Sequence, residues 1–85
     1  MAYGTLKAKP ITKFGEWLNC QMESHDMGVV DVAEKLHCSH ATIIHHRTGR
    51  RYPTFSDVVA YCWMFDCIHC VEEIWGMIDI LIEEN

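Results

Sequence analysis

Between Lys35 and Ser56 the chain has no aspartate or glutamate, and from Asp57 to Asn85 it has no lysine or arginine. The formal net charge of −5 is therefore the sum of two territories of opposite sign. Net acidity taken alone argues against a polyanionic partner, but local potential steers a ligand to its site, so nucleic acid stays in play. Long apolar runs are missing as well. The richest stretch, IWGMIDILI, is interrupted by Asp79 and falls short of the roughly 18 consecutive apolar residues of a membrane-spanning helix. The opening MAYGTLKAKP has no apolar run of the kind a cleaved signal needs, and the five cysteines are an odd set, so a reduced, cytoplasmic protein with free thiols is expected. There is no glycine-rich phosphate loop, no nucleophile with a base and its orienter, and no suitable pair of carboxylates. An enzyme is not expected.

What is present fits one small domain. Eighty-five residues, 49% of them hydrophobic, are enough for a single core, without internal repeats or low-complexity segments. Residues 1–10, with Gly4, Pro10, Lys7 and Lys9, read as a mobile arm, and residues 11–85 as the folded domain. Phe14, Trp17, Leu18 and either Cys20 or Gln21/Met22 recur at helical spacing behind Thr12, a suitable N-cap. VVDVAEKLH puts Val29, Val32, Ala33 and Leu36 on one face of a second, short helix. Ser39 can cap a third, with Ile43 inside and Gly49 ending it. Thr54 or Ser56 opens a fourth through about Phe65, and a fifth is expected over about 68–83 with Val71, Ile74, Trp75, Ile78, Leu81 and Ile82 as its stripe. No strand is convincing, so the fold class is all-α with five short helices.

The stretch SHATIIHHRTGRRYP, residues 39–53, places His40, His45, His46, Arg47, Arg50 and Arg51 in the acid-free territory. It follows VVDVAEKLHC, so two short helices joined by a tight turn lead into a basic loop. This segment, VVDVAEKLHCSHATIIHHRTGRRYPTF, resembles the lambda-repressor-like helix-turn-helix domains of the Cro/Xre class, and the resemblance runs from roughly Phe14 to Ile82. Ala33 stands where that family needs a small residue at the helix crossing, Leu36 and Ile43 where it has core residues, and Gly49 and Pro53 in its post-helix turn. The chain departs from the pattern at Val29, where the family often has Gln, and at His37, where it often has Gly. It departs again at His46, where an apolar residue is common, and at Arg47, where an acid is. The first two departures imply an altered turn and a lost phosphate contact; the last two imply a more cationic recognition helix.

The resemblance implies a sequence-specific, double-stranded-DNA-binding transcriptional regulator, most simply a repressor of phage, plasmid or other mobile-element type that needs no cofactor. The recognition helix, about 40–48, would enter the major groove. Carried over by position, His40, Ala41, Ile44 and His45 would contact bases, and Ser39, Thr48, Arg50 and Arg51 would contact phosphates. Protonation of His40 and His45 near phosphates would strengthen binding between about pH 7.5 and 6. His46 falls on a core position, where a partly buried structural role is expected, and the bland reading of Arg50 and Arg51 is a solvated loop.

Trp17, Trp63, Phe65 and Trp75 read as core or interface rather than as a platform for single strands. Cys67 and Cys70 have C-x-x-C spacing with Cys62 nearby, but no second close pair completes four zinc ligands, so small apolar packing is the expected role and no metal site is assigned. The last helix has more apolar residues than one buried face requires. Such a surplus covers a partner, and Trp75, Ile78, Leu81 and Ile82 are the expected homodimer interface, setting two recognition helices roughly 34 Å apart on a palindromic operator. A reading from another class is a protein-interaction module that uses the C-terminal apolar helix and does not bind DNA.

Overall fold

Thr12 opens the first helix as its chemistry requires: its hydroxyl oxygen accepts from the Gly15 amide at 3.0 Å, and Glu16 places a carboxylate in the first turn. The computed structural model describes residues 12–78. Within them are α1 (Lys13–Ser24), α2 (Val29–Leu36), α3 (His40–Thr48), α4 (Phe55–Met64), a 3₁₀ turn (Ile68–Cys70) and α5 (Val71–Trp75), with no strand among the described residues. The expected arm at 1–10 and the C-terminal part of the expected fifth helix lie outside those residues.

Phe14, Leu18 and Met22 recur every four residues along α1 and are all buried; Trp17 is half-buried at the edge of the core and Cys20 is exposed. They meet Val32 and Ala33 of α2, Ile43 of α3, Val58, Tyr61 and Cys62 of α4, Phe65 just beyond it, and Ile74 of α5. Aromatic edges close the centre: Phe14 lies 5.7 Å from Tyr61, and Trp17 meets Phe65 edge-on at 6.0 Å. Trp63, by contrast, is 74% exposed and contributes nothing to that core. It falls on the far face of α4, since the core side of the helix is taken by Val58, Tyr61 and Cys62.

Three helices end on a residue other than glycine in the left-handed region: Asp26 (φ 55°), His37 (φ 57°) and Asp66 (φ 60°). Each is followed by the same closing bond, from Met27 N–H to the Met22 carbonyl, Cys38 N–H to Ala33, and Cys67 N–H to Cys62. His37 carries this left-handed turn on a residue with a Cβ, which adds local backbone strain. α3 ends on a glycine in that region, Gly49 at φ 88°.

The fifth helix differs from expectation. Residues 68–70 form the 3₁₀ turn and α5 spans only Val71–Trp75, because Gly76 is a poor helix former and the next two amides fold back to i−3 carbonyls, Met77 to Ile74 and Ile78 to Trp75. Among the described residues the apolar stripe is thus one turn long, with Ile74 buried and Trp75 39% exposed against the edge of Phe55 at 5.3 Å.

Candidate nucleic-acid interface

The turn joining α2 to α3 is only His37, Cys38 and Ser39. Ser39 caps α3: its hydroxyl oxygen accepts from the Thr42 amide at 3.1 Å and lies 2.9 Å from the Thr42 hydroxyl. Packing then divides α3 by face. Ile43 and His46 turn inward, which leaves His40, Ala41 and Ile44 exposed and His45 half-buried on the other side. Those four are the expected base-contact residues, and they occupy one side of one helix at i, i+1, i+4 and i+5.

Of the expected phosphate contacts, Ser39, Arg50 and Arg51 are exposed. Thr48 is not: it is buried, and its hydroxyl donates to the Ile44 carbonyl at 2.9 Å, so the side chain is turned into the helix and its proton is already used. Arg47 is half-buried, with its Nε shielded from water and without a hydrogen bond among the described residues, so it presents less charge outward than its two neighbours. The loop carrying Arg50 and Arg51 is held by one acceptor. The His45 carbonyl takes the amides of Gly49, Arg50 and Arg51 at 3.0, 2.9 and 3.3 Å, which keeps both arginines close to the end of α3.

The first acid after this cationic stretch is Asp57, and it is occupied locally. Its carboxylate accepts from the Thr54 amide at 2.9 Å while Thr54 caps α4, a reciprocal pair. The same carboxylate oxygen lies 3.8 Å from Nε2 of His46. His46 is 2% exposed, and its Nδ1 sits 2.7 Å from the Tyr61 hydroxyl. Burial lowers the imidazole pKa from the ordinary 6.5, and Asp57 opposes that shift. Burial also pushes the Tyr61 phenol up, so it stays protonated. Tyr61 was missed as a polar partner by sequence reasoning. The available signal was its spacing four residues after Asp57, which puts both on one face of α4.

Of the expected dimer contacts, Trp75 is partly exposed, Ile78 is half-buried, and Leu81 and Ile82 lie outside the described residues. Cys62 is buried, and burial above all, with Cys67 and Cys70 beside it, raises its thiol to about 12; Cys67 is raised too. The Cys62 and Cys67 sulfurs remain thiols, and no group of metal-ligating side chains is assembled among the described residues. No helix there is long and apolar enough to cross a membrane.

In comparisons with protein-family models, with curated proteins and with solved structures, the chain matches none of them.

Proposed function

We propose that this protein is a sequence-specific double-stranded-DNA-binding regulator, non-enzymatic and of the lambda-repressor-like helix-turn-helix kind, with α3 as its recognition helix. The observation that carries this reading is the outer side of α3: His40, Ala41, Ile44 and His45 with Arg50 and Arg51 at its end, in a stretch free of carboxylates whose next acid along the chain, Asp57, is tied to Thr54 and His46. Imidazoles can donate to guanine acceptors, Ala41 and Ile44 can meet a thymine methyl, and the two arginines can hold phosphates beside the end of α3. Occupying an operator is the simplest mechanism, as a homodimer on a palindrome, with Trp75 and the residues after it covering the partner.

A second reading, an interaction module without DNA binding, draws on the exposed aromatic residues Trp63, Phe55 and Trp75. Fluorescence anisotropy against a randomised duplex pool at low and at moderate salt separates the two. Salt-sensitive binding that Arg50→Ala/Arg51→Ala loses supports the regulator. A folded protein with no binding at low salt supports the module.

A further inference from the structure

His46 sits in an unusual place for a titratable group: on the inner side of α3, opposite the proposed reading surface, at the seam with α4. Beside it is a cavity of about 70 Å³ lined by Leu36 of α2, Cys38 of the turn, Thr42 of α3, and Asp57, Ala60 and Tyr61 of α4. A carboxylate can only accept, so the neutral imidazole meets Asp57 best with its proton on Nε2. Nδ1 then accepts from the Tyr61 hydroxyl.

We propose that the His46–Tyr61–Asp57 cluster is a pH-sensitive latch between α3 and α4, closed when His46 is neutral and loosened when it takes up a proton. Protonation makes both ring nitrogens donors. The Tyr61 hydroxyl, donating to Nδ1 until then, must turn and accept, which leaves its own proton to find a new acceptor around the small cavity, where Asp57, Cys38 and Thr42 are the polar groups and Asp57 is already engaged by Thr54. The groups facing the imidazole are opposed in effect. Asp57 of α4 favours the cation, whereas Arg51 of the following loop and His45 of the same helix disfavour it, and the desolvation caused by burial outweighs them all. From α1, Phe14 packs on the Tyr61 ring and brings no charge.

The direction follows from proton linkage. The unfolded chain binds a proton on His46 near the ordinary value of 6.5, and the folded chain binds it only at lower pH. Across that interval the unfolded state holds more protons, so stability is full above 6.5 and is lost as pH falls toward the folded value. Any loss of DNA affinity through the latch rests on the regulator reading above; the latch itself does not.

The test uses no DNA. The His46 imidazole is followed by NMR from pH 8 to 5, with amide hydrogen exchange along α3 and denaturant unfolding at each pH, in the wild type, Asp57→Asn and His46→Gln. The expected results are a His46 midpoint below that of free histidine, and a further drop in Asp57→Asn, which keeps an oxygen for Thr54 but loses the charge. The protection factors of the α3 amides, which remove the intrinsic slowing of exchange in acid, should fall as His46 titrates, and the unfolding equilibrium should shift by up to about tenfold per pH unit. His46→Gln should flatten the pH dependence of stability below 6.5. A His46 midpoint at or above that of free histidine overturns the latch, as does α3 protection that ignores the titration; both are read on the wild type, whether or not the variants fold.

Discussion

Gly15 of α1 and the backbone carbonyl of Arg47 in α3 approach so closely that a Cβ on Gly15 would lie 2.5 Å from that oxygen. The obstacle is backbone, which cannot rotate out of the way. Glycine at this position sets how deeply α3 seats against α1, and through that where the outer side of α3 stands. Gly15→Ala should therefore destabilise the protein by about 1–3 kcal/mol, overriding the roughly 1 kcal/mol that alanine ordinarily gains over glycine in a helix. Urea unfolding measures it, and a stabilised variant would show that the close approach is not a constraint.

Removing the phenolic hydroxyl tests the other seam. Tyr61→Phe keeps the ring against Phe14 and leaves Nδ1 of a buried imidazole without its partner. The expected loss is about 1–3 kcal/mol, the penalty for an unsatisfied buried group. An unchanged denaturation midpoint would mean that the hydroxyl has no such role.

At the turn between α2 and α3 the prediction has the opposite sign. His37 is exposed and its backbone is left-handed, a conformation that glycine adopts without a steric penalty. His37→Gly should stabilise the fold by about 0.5–1 kcal/mol, the strain relieved exceeding the entropy that glycine loses on folding. Thermal unfolding at fixed pH is the measurement.

Arg50→Ala/Arg51→Ala changes two exposed side chains and should leave the unfolding transition within about 0.5 kcal/mol. Its effect should instead appear in DNA binding. With two phosphate contacts gone, the slope of log affinity against log salt should fall by roughly 2, across all duplex sequences alike. A slope equal to the wild type's would remove both arginines from the phosphate-contact set.

Trp63 should be dispensable for folding despite its size. It is 74% exposed and lines an open depression of about 380 Å³ with Met27, Lys35 and Met64. Trp63→Ser is expected to change stability by no more than about 0.5 kcal/mol. A larger loss would show that the indole buries area that its exposure does not suggest.

How much was legible depended on the range of the interaction. The caps at Thr12 and Ser39, the helical stripes of α1 and α2, and the stop at Gly49 are decided within a few residues, and each lies where the sequence puts it; of Thr54 and Ser56, the cap of α4 is Thr54. The exposed set on α3 was legible too, because once Ile43 is assigned inward the rest of the helix follows by angle. What the sequence left unread falls at the end of α3, on the outer face of α4 and beyond Cys67. Thr48, expected to contact phosphate, turns its hydroxyl back to the Ile44 carbonyl of its own helix. Trp63 reads as core or interface, and it lies outside the core, on the face that Val58, Tyr61 and Cys62 leave outside. The fifth helix reads as continuous from its apolar content, and among the described residues that content is divided between a 3₁₀ turn and five helical residues.

The sequence by itself determined an all-helical domain and two charge territories, because helical periodicity, capping and the order of charges along a chain are local properties. Only the tertiary structure decided that Gly15 meets Arg47 and that His46, Tyr61 and Asp57 meet around one small cavity. Those relationships join residues up to tens of positions apart, and no local preference encodes them. They arise because excluded volume and the need to satisfy buried polar groups leave few ways to pack these helices together.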